Sequence, residues 1–204
     1  MLDDLIKERL KKLDSFERAG RPVFGAKSRR NRLLAEVKLH EKNVVVAGRL
    51  SGLRIQGGVF FADLCDQSGK IQLVAKKGNL ADFELFKHGL DIGDFVEAEG
   101  DIFKTLKGEV SVDVRGLTLL TKSTRPLPDQ WSGLMDVETR LRRRYLDLLF
   151  HPEARELFQK KALFWEVGRN FLKKAGFLEV DTPALEAVPG GADAAPFPTH
   201  HKAL

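Results

Sequence analysis

Cysteine is nearly absent. Cys65 is the one cysteine in 204 residues, which excludes an intramolecular disulfide and a cysteine-rich zinc site and fits a reducing compartment. Its flanks in FADLCDQSG are acidic and supply no cation for a thiolate, so it reads as structural rather than nucleophilic. Long apolar runs are missing as well: the opening MLDDLIKERLKKLDSFERAG interleaves acids and bases and is neither a signal peptide nor a membrane span. A cytoplasmic location is expected. Internal repeats and low-complexity segments are also lacking. What remains is 43% hydrophobic and 31% charged, the balance of a globular protein with one large or two modest domains. The formal charge of +5 favours an anionic partner, nucleic acid ahead of membrane, because no basic amphipathic helix stands alone.

Leu2, Leu5, Ile6, Leu10, Leu13 and Phe16 recur at helical spacing, and Gly20 and Pro22 supply a stop. Next comes a basic stretch with Lys27, Arg29, Arg30 and Arg32, either a phosphate-facing arm or a solvated loop. From Asn43 to Lys122 the period changes to two. Strands are predicted at 44–53, 59–64, 70–76, 94–104 and 109–120, separated by glycine-bearing turns. Leu80, Phe83, Phe86 and Leu90 mark a short helix between the third and fourth strands. That element order is the order of an OB-fold, a small Greek-key barrel, though an unrelated five-stranded barrel would give the same string. A proline-rich linker, STRPLPDQWSG, precedes a helical region in which Val137, Leu141, Tyr145 and Leu148 share a stripe. A longer helix then runs from Pro152 to Gly176, and FLEVDTP reads as a short strand closed by Pro183.

Strand alternation sorts the barrel residues into two faces. Phe60, Ala62 and Leu64 go in, leaving Phe61 and Asp63 out. Ile71, Leu73 and Ala75 go in, leaving Gln72 out. Val110, Val112 and Val114 go in, leaving Glu109 out, with Arg54 just past the first strand. A ring, an amide, a carboxylate and a cation on one face are the groups that a reader of single-stranded nucleic acid needs. Against this stands the plainer reading, in which Phe61 packs under a helix while Gln72 and Glu109 are ordinary exposed strand residues.

The stretches VAGRL, GKIQLVA, GDFVEAEGDIFKTLKGEVSV, LTLLTKSTRPLPD, RRRYLDLL, FLKKAGFLEVDTPAL and the closing VPGG…PF.THHKAL together resemble lysyl-tRNA synthetases of the class II type. The resemblance implies an α+β protein with an N-terminal helix and basic arm (1–40), an OB-fold anticodon-binding domain (41–123) and a linker (124–136). The remainder (137–204) is the beginning of an antiparallel α/β class II catalytic domain. It implies that Phe61 stacks the central uridine of the tRNA anticodon, that Gln72 and Glu109 read base edges, and that Arg54 supplies charge or a hydrogen bond. Residues 169–185 look like motif 1, the dimer-forming helix and strand, with Pro183 at the end. Gly190 falls in the loop that approaches the lysine substrate, where glycine permits close backbone approach. The usual GGAAARPF and THHNAL become here a pattern with Asp193, Ala195 and Lys202, so a charged contact is lost at 195. His200 and His201 are adjacent on an expected strand and point oppositely, which argues against a shared metal.

In that family lysine is activated by attack of its carboxylate on the ATP α-phosphate, chemistry that rests on positioning and cationic stabilisation. The residues that hold ATP and Mg2+ lie in motifs 2 and 3. Both follow the point where this sequence stops, so the resemblance implies a chain cut inside its catalytic domain, with no catalytic residue and no cofactor expected on it alone. The partners expected are a lysine-specific tRNA and a second subunit, with no DNA and no membrane. Other readings are a stand-alone tRNA-binding module, a partner that heterodimerises through motif 1, and an aspartyl or asparaginyl relative.

Overall fold

The computed structural model describes residues 2–25, 27–128, 136–183, 195 and 199. They fall into two units, residues 1–129 and 130–204, and each is taken by itself.

In the first unit, helix α1 (Leu2–Arg18) begins with Asp3 and Asp4 and ends with Arg18, charges that complement the helix dipole. Strands β1 (Val44–Gln56), β2 (Val59–Cys65), β3 (Lys70–Lys76), β4 (Phe95–Lys104) and β5 (Val110–Thr121) follow, with helix α2 (Phe83–Gly89) between β3 and β4. They close into a barrel in the order β1-β2-β3-β5-β4. Closure depends on the long first strand. Val44–Arg49 pair with β4 and Arg49–Gln56 with β2, and the β2 pairing shifts between Leu50 and Gly52, a bulge that bends the strand from one neighbour to the other. Gly57, at φ +57°, makes the tight β1–β2 turn. β3 and β5 run parallel, Gln72 opposite Ser111.

The barrel interior is filled by Val46, Leu50, Phe60, Ala62, Leu64, Leu73, Ala75, Val96, Ala98, Val112 and Val114, all buried. Helix α2 closes one end: Phe83 lies 5.5 Å from Phe60 and Phe86 lies 5.4 Å from Phe16 of α1, ring centre to ring centre. Only Leu13 and Phe16 of α1 are buried, whereas Leu2, Leu5 and Leu10 are exposed, so the apolar stripe read from the sequence is used at its C-terminal end alone. Ionic contacts hold the helix in place. Lys12 Nζ lies 2.7 Å from Asp91 Oδ1, and Arg9 donates to the Ser123 and Ile92 carbonyls. Beneath them, fully buried Lys122 donates to the Gly89 carbonyl, Asp91 and Asp94 at 2.6–2.7 Å. Asp94, equally buried, also accepts from the Asp91 and Ser123 amides.

The basic stretch is strapped to the barrel. Glu97, buried on β4, accepts from Ser28 Oγ, the Arg29 amide and Arg29 Nε, and Arg32 pairs with Glu41. Lys27 and Arg30 remain exposed.

The second unit contains α3 (Val137–Arg142), α4 (Arg144–Phe150) and α5 (Pro152–Lys174). Two expectations change here, the apolar stripe and the strand after the last helix. Of the expected stripe, Val137, Leu141 and Tyr145 are exposed and Leu148 is half-buried, and Leu146 and Asp147 are buried instead, because the helix breaks at Arg143 (φ −113°, ψ 53°) and its periodicity restarts. The arginine run faces its own carboxylates: Arg140 and Arg144 converge on Asp147, and Arg142 pairs with Glu138. Residues 177–183 form no strand; no described neighbour offers them a ladder, and a strand needs one. Helix α5 has Pro152 in its first turn, Lys173 and Lys174 in its last, and Gly176 at φ +85° just beyond. None of its side chains is buried. No described helix is long and apolar enough to cross a membrane.

Candidate nucleic-acid interface

The outer surface of β1, β2, β3 and β5 assembles the polar and aromatic residues that alternation turns away from the core. Register fixes their neighbours. Arg54 is opposite Phe61, Phe61 opposite Val74, and Val74 beside Asp113. In the adjoining row Asp63 is opposite Gln72, Gln72 beside Ser111, and Ser111 opposite Phe103. Arg54 lies within β1 rather than past it, since the strand runs to Gln56.

Gln72 shares the outward face with Phe61 yet is only 6% exposed. Two β5-side residues cover it. Its Nε2 donates to Glu109 Oε2 at 2.9 Å and its Oε1 accepts from Ser111 Oγ at 3.1 Å. An amide has two N–H donors and two acceptor sites, so one of each remains after these bonds, with its direction fixed by them. Glu109 in turn is held by its own amide, which donates to Thr105 Oγ1 at 3.1 Å. Phe61 is half-buried. Arg54 Nη2 reaches only 3.8 Å from Asp63 Oδ1, while Lys70 Nζ lies 3.2 Å from Asp63 Oδ2. Beyond Ser111, Lys76 pairs with Asp113 at 2.9 Å and sits 5.7 Å from the centre of the Phe103 ring.

Chemically, the face offers an aromatic plane for stacking, a fixed amide–carboxylate pair for a base edge and cations with spare donors. Val110, expected inside, is 41% exposed: it pairs with Lys104 on β4 but lies past the β3 ladder, which starts at Ser111, so it sits at the barrel rim. Sequence reasoning placed Asp63 on this face but missed Ser111 and Phe103. Ser111 is the next outward position after Glu109, a visible signal, but its contact with Gln72 follows from the parallel β3–β5 pairing, which alternation does not reveal. Cys65 is half-buried with its Sγ 3.1 Å from Ser51 Oγ.

Pro183 lies in the exposed stretch after α5. Gly190, Asp193, Lys202, His200 and His201 lie outside the described residues. Among the described residues no group of His, Cys, Asp or Glu could hold a metal ion, and the arginines of α3 and α4 named above are engaged by carboxylates, so neither Mg2+ nor ATP is assigned to these residues.

Residues 44–120, almost the span of the five strands, match the OB-fold nucleic acid binding domain, and residues 136–204 match the class II tRNA synthetases (D, K and N). The second segment carries the pattern of the class II tRNA synthetases of that group. Within it, the chain is similar to the lysine-tRNA ligase of Syntrophomonas wolfei, 43% identical over 100% of this chain and 42% of the relative. It is likewise similar to the lysine-tRNA ligase of Moorella thermoacetica (44% identical, 99% and 42%) and to that of Clostridium perfringens (46% identical, 96% and 40%). The chain thus spans about two fifths of the length of the curated relatives it matches.

Proposed function

We propose that these residues serve a lysine-tRNA ligase by binding the anticodon of a lysine-specific tRNA on the outer face of the barrel. In this reading Phe61 stacks the central uridine, Gln72 and Glu109 read base edges, and Arg54 supplies charge or a hydrogen bond. The observation that carries it is the Gln72–Glu109–Ser111 network near the half-buried Phe61, a fixed polar edge on the same face as an aromatic ring. Domain limits of 41–123 for the anticodon-binding part, 124–136 for the linker and 137–204 for the synthetase part belong to the same reading, as does a cytoplasmic location. So do ATP and Mg2+ as requirements of the complete ligase, the loop at Gly190 as its lysine-contacting segment, and a homodimer formed through the motif 1 segment that ends at Pro183.

The test is binding of labelled anticodon stem-loop RNAs to the full chain, one with a central uridine and one with a central cytidine. The uridine loop is expected to bind more tightly, and Phe61→Ala to weaken both, since stacking contributes about 1–3 kcal/mol per base and every base has a π-face. Equal affinity of the unaltered chain for the two loops would overturn the reading. Selection of lysine over aspartate or asparagine by the complete ligase separates it from the other members of the D, K and N group.

A further inference from the structure

Arg49 stands apart from the arginines of the first unit that are paired with carboxylates. It is half-buried on β1, facing outward because Leu50 beside it points into the core. Its guanidinium lies 4.4 Å from the centre of the Phe95 ring, and no carboxylate among the described residues pairs with it. The carboxylates on the flanking elements are committed elsewhere. Asp94 is taken by Lys122 and two amides, and Glu97 by Arg29 and Ser28. Asp66 is taken by the amides of Leu34, Ser68 and Gly69, and Asp63 is shared by Arg54 and Lys70. Burial pulls the Arg49 pKa below its ordinary value. A partly desolvated guanidinium with five N–H donors and no anion calls for one from outside.

The register supplies its row, while the guanidinium itself leans toward Phe95 on β4. Arg49 is opposite Cys65, and Cys65 opposite Lys70, so Arg49 and Lys70 share one outward row across three strands. That row lies one same-face step, about 7 Å, from the row of Asp63 and Gln72. Arg54, opposite Phe61 on the other side of the Asp63 row, adds a third cation to the outer face.

Resting on the anticodon reading above, we infer that Arg49, with Lys70 two strands away in the same outward row, is a contact for the RNA sugar-phosphate backbone, its guanidinium held over the Phe95 ring to donate to a phosphate. Such a contact positions the strand without reading its sequence. It is tested by anisotropy titrations of the full chain with the two anticodon stem-loops over a range of salt concentrations. Arg49→Gln is expected to weaken both loops several-fold by the same factor, and to lower the slope of log affinity against log salt by about 0.7–1. Arg49→Lys retains the slope. Lys70→Gln, at an exposed position, gives the same signature and serves if Arg49→Gln fails to fold. A discriminating unaltered chain whose Arg49→Gln and Lys70→Gln variants keep its salt slope overturns the phosphate assignment alone, and points Arg49 toward a protein partner. Failure of the unaltered chain to discriminate overturns the anticodon reading instead.

Discussion

Gln72 and Glu109, 37 residues apart in sequence, are joined at 2.9 Å across the parallel β3–β5 pairing. The carboxylate fixes which end of the amide faces outward, so the two act as one polar edge. Glu109→Gln replaces a charged acceptor by a neutral one. It is expected to cut the preference for the uridine loop over the cytidine loop by about tenfold, the scale of a hydrogen bond to a charged group at roughly 1.5 kcal/mol. A selectivity ratio equal to that of the unaltered chain would refute the pairing's role.

Lys122 and Asp94 are both fully buried and 2.7 Å apart. Lys122→Met leaves Asp94 with its amide donors but no counter-charge. Removing one partner of a buried pair costs about 3–5 kcal/mol. The urea midpoint of the barrel should fall accordingly, with loss of α1 packing because Asp91 also holds Lys12. A shift worth less than about 1 kcal/mol would mean that solvent reaches Asp94 and that the pair is not sealed.

Acid stability reports on Asp101. The Asn43 amide donates to its carboxylate, and Arg115 and Lys42 add further bonds, which together pull its pKa from 3.8 to about 2. A carboxyl whose folded pKa is depressed stabilises the fold above its unfolded value and loses that contribution as pH falls through the folded one. Asp101→Asn should therefore lower stability at neutral pH. It should also flatten the decline between pH 3.8 and about 2. A variant whose stability runs parallel to the parent's over that interval would show that Asp101 contributes nothing to acid sensitivity.

Helix α5 exposes Leu163, Phe164, Trp165, Val167 and Phe171, more contiguous apolar surface than one solvated helix carries without a partner. On the dimer reading, a second copy covers it. Sedimentation of the full chain should show a dimer, and Phe164→Asp, which places a charge on that face, should shift it to monomer. A chain that sediments as a monomer at every concentration would remove the basis for this surface as a self-contact.

The barrel was legible because burial acts on alternate residues: Phe60, Ala62 and Leu64 are inside and Phe61 is not. The same rule failed where pairing ends. Val110 sits in phase with Val112 and Val114, but β3 does not extend far enough to cover it. Gln72 shows a second limit. Alternation gives a side chain's direction, whereas its burial depends on Ser111 and Glu109, which only the three-dimensional register brings near. Helical periodicity misled at Val137 and Leu141, because a break at Arg143 resets the phase and because Asp147, a carboxylate, is the residue that draws Arg140 and Arg144 inward. Arg49 gave no sequence signal, since an unpaired arginine is recognised only once its neighbours are known.

The Phe16 ring fills the space that a side chain at Gly89 would take; a Cβ there would come within 2.5 Å of the ring. During synthesis this stopper emerges ahead of the strands and waits for them. Its helix meets Asp91 through Lys12 after 79 residues and Ser123 through Arg9 after 114, so the floor of the barrel closes only when the strand that leads into the linker has left the ribosome. A nascent chain halted before Lys122 would hold its first helix without a seat, and its proteolytic sensitivity near residue 16 should vanish over a narrow window of added length.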